Sequence, residues 1–546
     1  RVDRAAGKRE FRWSDDGMLD ELELASDHRP WLPACYCRNC GRSGWMTQLE
    51  PGTGVPLFEP QKIREGSFND PTRQRPLLEA GAELALAEST GVALASVRDQ
   101  NSGSAVLWLD LRNRTLSAAQ PTDEDIESQM AVPVLTLAGK DAEKDAENET
   151  CPSCGASDSI RYLGSSVATL LSVALSNLFS MPELDDGEKK TLVFADSVQD
   201  AAHRAGFVQA RSRRFTLRTF IRRAVRELSA EGMVPLTRVA AKLDKLAVTA
   251  RERYELLPPE RADEQLYRGY WDTKQPKKAV DFATAAARKR LAFDLMIEMG
   301  LQNSLARSLS LTGAVSAEVG ATRSELLTAA RAALSKPNVQ GVLRGVDGDD
   351  DLERWARGVV EMIRLRGGIY HEWFDDYLYD AGNPYKLNWR PARAKGVPGF
   401  ARGAAPQFPW VITHARKNLA EGVINAVAPR NRFAQWTRKC LGVSSHDAGT
   451  LIAALLSSLH EQSVLRKTED RNGDAVYALE PSRVLAGVDD SPSVAQCTVC
   501  HARTGWHHRT CELMAGGPCM TPGCEGTLEV VPLEPDYYRR LYETNN

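Results

Sequence analysis

The sequence predicts a mainly helical α+β protein made of several units, and three observations carry that prediction. Eleven cysteines, nearly all in closely spaced sets, stand in a chain of 546 residues. A strand–turn–helix pattern occupies 191–208, and amphipathic helical patterns fill most of 227–367. A chain of this length exceeds one hydrophobic core, so about three or four domains are expected. The net charge of −3 confines any nucleic-acid surface to local patches. No run of about 18 apolar residues exists, and no hydrophobic stretch follows the basic N-terminus, so a cytoplasmic protein with no membrane partner is expected. Clustered cysteines in that compartment point to metal rather than to disulfides.

Residues 1–34 are polar and proline-bearing, with Phe11, Trp13, Trp31 and Leu32 as isolated anchors, and read as a linker from something upstream. The chain also lacks an initiator Met and reads as an excised, internal piece. Cys37-Arg-Asn-Cys40-Gly41 is half of a zinc knuckle. Two thiolates separated by two residues grip one tetrahedral ion, and the following glycine lets backbone amides approach the sulfurs. Cys35 competes with Cys37 as ligand, and the two-residue spacing favours Cys37 with Cys40. Cys151-Pro-Ser-Cys154-Gly155 repeats the pattern. Between the two lies a Gly/Pro/Asp-rich excursion with a helix expected over 77–86 and strands over 105–111 and 132–137.

Ser165 and Ser166 offer N-caps to a helix in which Val167, Leu170, Leu171, Ala174, Leu175 and Leu178 share one face until Pro182. Residues 191–195 are almost wholly apolar, as in a strand buried on both faces. Asp196 and Ser197 then cap a helix over 198–208 that ends near Gly206. From Arg204 to Arg226 there are eight arginines and no acid, beside an apolar stripe of Leu217, Phe220, Ile221, Ala224 and Val225. One packed and one basic face are expected, with Arg211, Arg214, Arg218 and Arg222 as candidate phosphate contacts. A solvated helix face is the alternative.

Gly164-Ser-Ser-Val-Ala-Thr169, followed by Leu192-Val-Phe-Ala-Asp-Ser-Val-Gln-Asp-Ala-Ala-His-Arg-Ala-Gly206, resembles the opening of the second RecA-like lobe of large superfamily 2 DEAD/DEAH-box helicases. The strand-turn is motif IV of that family, and the most similar subfamily carries cysteine clusters and occurs in bacterial phage defence and DNA repair. The resemblance implies that the turn lies against the nucleic-acid backbone, with Ser197 and Gln199 at contact positions, a role suited to a helix N-terminus. Relatives often carry Arg after the Ser; this chain has Val198. The resemblance also implies that Cys37 and Cys40 join Cys151 and Cys154 in one zinc site across an insertion. On this reading 35–160 is a first zinc-binding domain and 161–226 opens the lobe.

Residues 227–409 read as a helical insertion and connector. Lys277, Lys278 and 288–290 are basic clusters, and Trp373, Phe374, Tyr377, Tyr379, Tyr385 and Trp389 are expected to bury an irregular segment rather than stack bases. Residues 410–486 read as a winged helix: a helix over 432–441, a turn, a second helix over 447–462 and a hairpin around Asn472-Gly473. The second helix carries no Arg or Lys, so nucleic-acid contact falls to Arg466, Lys467 and Arg471 of the wing. Residues 487–530 hold Cys497, Cys500, Cys519 and Cys524, a second four-thiolate zinc site, with Cys511, His501, His507 and His508 as spare ligands. Residues 531–546 read as the return to the second lobe.

No P-loop, no acidic motif after a strand and no paired-arginine motif is present, so this polypeptide alone is not expected to hydrolyse ATP. The expected function is therefore that of part of an ATP-dependent superfamily 2 helicase or translocase acting on nucleic acid, DNA in preference to RNA, in antiviral defence. Its cofactors would be two structural zinc ions, with ATP and magnesium only in the parent protein. Its partners would be the remaining helicase lobes and defence-system subunits. The alternative is a non-enzymatic zinc-ribbon and winged-helix DNA-binding regulator. Four-sulfur sites leave no open position for water, which disfavours a zinc hydrolase.

Overall fold

Residues 131–137 read Ala-Val-Pro-Val-Leu-Thr-Leu, too apolar for a surface strand, and every one of them is buried inside a seven-stranded sheet. The computed structural model describes residues 30–98, 103–128, 130–163, 167–179, 181, 183–185, 187–191, 197–229, 232–301, 308–336, 348–400, 403–412 and 419–544. The sheet comprises β1 (Ala34–Cys37), β2 (Ser43–Gln48), β3 (Gln74–Glu79), β4 (Ser104–Asp110), β5 (Thr115–Ser117), β6 (Ala131–Leu137) and β7 (Ile160–Tyr162). The strands lie in the order β5-β4-β6-β3-β2-β1-β7, antiparallel throughout. Both strands expected here, β4 and β6, form. The helix expected over 77–86 does not: Leu77 and Leu78 end β3, and helix α1 (Gly81–Thr90) starts only afterwards. Pro76 favours extended backbone, and the two fully buried leucines pair between β2 and β6. Tertiary pairing has overridden local helix propensity.

Helix α2 (Val167–Phe179) follows the expected apolar spacing. The strand expected over 191–195 falls almost entirely within 192–196, outside the described residues. Helix α3 (Val198–Leu228) is one unbroken helix of 31 residues, so Gly206 does not end it. A glycine in a helix interior costs only about 1 kcal/mol, less than a packed helix of this length loses by breaking. Leu217, Ile221, Ala224 and Val225 turn inward as expected.

Strand β8 (Val234–Pro235), helix α4 (Lys277–Gly300), strand β9 (Ser316–Val319) and helices α5 (Arg323–Leu334) and α6 (Asp349–Leu365) follow. In α6, every residue from Leu352 to Arg364 except Arg354 is buried. Its charges are matched internally. Arg364 pairs with Glu361 at 2.7 Å, and Glu361 also accepts from the Val319 amide (2.6 Å) and the Trp506 indole (2.9 Å). Trp373, Phe374 and Tyr377 are buried as expected, whereas Tyr379 and Tyr385 are exposed.

The helix, turn, helix and hairpin expected beyond residue 410 are all present, between and beside strands β10 (Phe408–Val411) and β11 (Val423–Asn425). They are α7 (Arg432–Leu441), α8 (Ser445–Glu461), β12 (Leu465–Glu469) and β13 (Ala475–Leu479). Ser444 caps α8 by accepting from the Asp447 amide. Strand β10 adds to β13, giving a four-stranded sheet ordered β11-β10-β13-β12. Helix α8 packs against α5 and α7, with Leu451, Ile452, Leu455, Leu456 and Leu459 fully buried, and leaves His446, Thr450, Ala453, Ser457 and His460 on its accessible face.

Strand β14 (Val484–Gly487) joins β8 and β9. Strands β15 (Ser493–Cys497), β16 (Arg503–Thr504) and β17 (Leu528–Pro532) make a last sheet, and helix α9 (Tyr537–Thr544) returns to pack on α3. One hydrophobic core runs from Leu217 to Tyr542 and takes in the second cysteine group, while the first sheet has a core of its own. Among the described residues no helix is long and apolar enough to cross a membrane.

Candidate metal centres

Strand β1 ends on Cys37, and β7 begins just after the Cys151–Cys154 turn. Their antiparallel pairing sets Cys37 opposite Ile160 and so brings the two turns together. The sulfurs of Cys37, Cys40, Cys151 and Cys154 all lie within 4.8 Å of one another. Cys37 Sγ is 3.8 Å from Cys154 Sγ, and Cys40 Sγ is 3.9 Å from Cys151 Sγ. A tetrahedral ion with metal–sulfur bonds of about 2.3 Å requires sulfur separations of roughly 3.8 Å. The amides of Asn39 and Cys40 point at Cys37 Sγ, both at 3.4 Å, and that of Ser153 points at Cys151 Sγ at 3.3 Å.

The last sheet builds the second centre in the same way. Cys497, Cys500, Cys519 and Cys524 also lie within 4.8 Å of one another and are all buried. Cys497 Sγ is 3.7 Å from Cys524 Sγ, and Cys500 Sγ is 3.5 Å from Cys519 Sγ. The amides of Val499, Cys500 and Thr521 point at sulfur from 3.3 to 3.4 Å. A Cβ at Gly526 would stand 2.6 Å from Cys497 Sγ, so only glycine fits there. The residue after each Cys-x-x-Cys turn adopts a left-handed backbone: Gly41 (φ 76°), Gly155 (φ 68°) and His501 (φ 55°). The third knuckle thus uses His501 where the others use glycine.

Hydrogen bonds from neighbouring thiols hold Cys37 in the first centre and Cys500 in the second well below the ordinary thiol range, and lower Cys524 to about 7. The spare candidates stay outside. Cys35 donates to the Trp45 carbonyl at 3.3 Å, and burial pushes its pKa up. Cys511 lies 3.6 Å from the Trp506 carbonyl oxygen, and burial raises its pKa to about 11. His507 and His508 gather on Asp489 instead, at 3.0 and 3.3 Å. Both centres therefore present four sulfurs at the spacing a tetrahedral divalent ion needs, with no further ligand among the described residues.

The two centres touch. Ser153, inside the first knuckle, donates to the Cys500 carbonyl at 2.7 Å, and Arg42 donates to the Val499 carbonyl at 3.3 Å. Between them Glu83 of α1, fully buried, pairs with Arg42 at 2.7 Å and Arg98 at 3.6 Å. Lys439 of α7 donates to the carbonyls of Cys519, Thr521 and Cys524 at 3.1, 3.1 and 2.6 Å. Sequence reasoning missed Arg42, Glu83, Arg98 and Lys439. They are separated along the chain and form no local motif; only the position of Arg42, two residues past Cys40, could have drawn attention.

The candidate nucleic-acid residues are scattered. Ser197 and Gln199 are exposed at the start of α3. The basic face expected on α3 is largely turned inward. Arg218 is 3% exposed and pairs with Glu298 at 3.0 Å, and Arg222 pairs with Glu543 at 3.2 Å. Arg211 donates to the Tyr538 hydroxyl at 3.1 Å, and Arg214 is exposed. On the wing, Arg466 pairs with Glu480 at 3.2 Å and lies over the Tyr370 ring, and Arg471 pairs with Asp380. Lys467 is exposed. No family model, no curated protein and no solved structure matches the chain.

Proposed function

We propose that this chain is the accessory half of an ATP-dependent superfamily 2 DEAD/DEAH-box helicase or translocase that acts on nucleic acid in antiviral defence. Two zinc ions pin its insertions, and ATP and magnesium act only on the parent protein. The observation that carries the reading is the packing of α9 on α3. The chain departs from the end of α3, builds one core some hundreds of residues long, and comes back to the helix it left: Tyr538 stacks on Phe215 at 5.9 Å and Tyr542 meets Arg218 at 3.2 Å. An insertion that leaves a motor lobe and rejoins it needs a closed base of this kind.

Residues 410–486 fit a winged helix in element order, and the two cysteine groups fit structural zinc ribbons with complete ligand sets. The make-up of α8 favours an accessory role over a sequence-reading regulator, because the stripe it leaves accessible, His446, Thr450, Ala453, Ser457 and His460, carries no Arg or Lys to offer a major groove. Contact with the strand then falls to Ser197, Gln199, Arg214 and Lys467, which are exposed. Fluorescence anisotropy with single-stranded DNA, duplex DNA and RNA at two salt concentrations tests the reading. Weak, salt-sensitive, sequence-indifferent binding, reduced by the triple change Ser197→Ala, Gln199→Ala, Lys467→Gln, is expected. Tight binding to one duplex sequence would instead establish the regulator.

A further inference from the structure

Arg366 and Arg432 reach the interior from two helix ends. Arg366 follows the last turn of α6, and Arg432 is the first residue of α7. Both lie deep in the fold yet stay only half-buried, because a cleft of about 90 Å³ reaches them. Arg503 of β16 completes the basic lining; Met362 and Leu365 of α6 form an apolar wall, and Asn39 and Cys154 from the first candidate centre face Cys519 and Thr521 from the second. That volume has room for several water molecules and so for a tetrahedral oxyanion.

No carboxylate lines the cleft. Elsewhere in this protein buried arginines are held by carboxylates, Arg42 by Glu83, Arg218 by Glu298 and Arg364 by Glu361, or, like Arg357, by backbone carbonyls, here those of Val319 and Ala321. Among the described residues the guanidinium groups of Arg366 and Arg432 have no hydrogen-bond or carboxylate partner, and Arg503 uses only its Nε, on Gln496 at 2.6 Å. The cysteine sulfurs do not satisfy these groups: the side chain that donates to Cys154 Sγ is Asn39, at 3.4 Å.

We propose that this cleft is a phosphate-binding site in which Arg366, Arg432 and Arg503 hold the oxyanion between the two metal centres. Guanidinium forks suit phosphate because two parallel N–H groups match two of its oxygens. A nucleic-acid strand and free phosphate share this chemistry. The inference stands apart from the motor reading, since it uses no residue of α3 or of the wing.

The test uses the whole zinc-loaded chain. Inorganic phosphate is expected to raise the melting temperature of the wild type in a saturable way. Arg366→Gln and Arg432→Gln should each weaken that response at least tenfold while zinc content stays at two per chain. Arg503→Gln, on β16 rather than at a helix end, guards against misfolding of the two helix-end variants and should weaken it severalfold, and Arg432→Lys should restore part of the loss. A labelled single-stranded oligodeoxynucleotide identifies the source. If phosphate competes with it and Arg432→Gln weakens both, the ligand is a strand phosphate; if it is unaffected, the ligand is free phosphate. The proposal is overturned if phosphate leaves the wild type unchanged, or if the variants lose zinc in step with phosphate, which would make these arginines counter-charges for the thiolates.

Discussion

Ser153 Oγ donates a 2.7 Å hydrogen bond to the backbone oxygen of Cys500, joining the loops of two metal centres that lie 347 residues apart in sequence. The first loop belongs to the sheet with its own core and the second to the large core, so this contact is part of the seam between them. Arg42, Glu83 and Arg98 close the same seam with buried charge. What stabilises one centre therefore bears on the other.

Metal content follows directly. The purified chain should carry two zinc ions, measured by release on thiol modification. Cys500→Ser should leave at most one. Binding free energies of structural zinc are on the order of 10 kcal/mol, comparable with the whole stability of a domain. Loss of either ion should therefore unfold its sheet and lower the melting temperature of the first unit as well. Cys35→Ser should keep both ions, because that thiol meets the Trp45 carbonyl rather than the centre. Gly526→Ala should lose the second ion alone, since its Cβ would meet Cys497 Sγ.

Glu83 is the only acid that Arg42 and Arg98 are paired with among the described ion pairs. Glu83→Gln should cost about 3–5 kcal/mol, the penalty for leaving a buried charge without its partner. The double change Glu83→Gln with Arg98→Met should recover much of that loss. Equilibrium denaturation of the single and double variants measures it, and additive losses would mean that the triad is not coupled.

The Cys-x-x-Cys turns were legible in the sequence because each carries its chemistry within four residues, whereas the meeting of Cys37 and Cys40 with Cys151 and Cys154 followed only from the family resemblance. Also legible were β4, β6, α7, α8 and the hairpin, each marked by local periodicity or a strong turn signal. The strand at Leu77 and Leu78 was not, since only pairing with β2 and β6 makes those leucines extended. The burial of Arg218 and Arg222 was equally hidden. A run of arginines reads as a basic surface until Glu298 and Glu543, far along the chain, come to meet it. Local patterns reveal turns and caps, whereas partners brought from a distance decide which charges face water.

The closure of α9 on α3 rests on Tyr542, fully buried beside Phe215 and hydrogen-bonded to Arg218 at 3.2 Å. Tyr542→Ala should cost about 3–5 kcal/mol, and Tyr542→Phe only about 1 kcal/mol for the lost hydrogen bond. Limited proteolysis should show the alanine variant cut within 537–544 before any other site. Equal stability of the two variants would mean that the ring contributes nothing to holding α9.

Acid should expose His371. Its Nδ1 accepts from the Trp373 amide at 3.1 Å, its ring packs edge-on against Phe293, and burial lowers its pKa from 6.5 to about 4. The folded state therefore refuses a proton that the unfolded chain accepts. Stability from this group is present above pH 6.5, is lost as the pH falls towards 4, and changes no further below that. One pKa unit corresponds to about 1.4 kcal/mol, so the loss should be on the order of 3 kcal/mol. His507 has the opposite sign: its hydrogen bond to Asp489 raises its pKa, so its contribution is complete below 6.5 and fades only as the pH rises through its folded value. The acid window thus isolates His371 among the two. Urea denaturation of the wild type and of His371→Phe at pH 7.5, 5.5 and 4.5 should show the stability difference shifting towards the variant as the pH falls. A difference that stays constant across the three would show that His371 titrates normally in the folded protein.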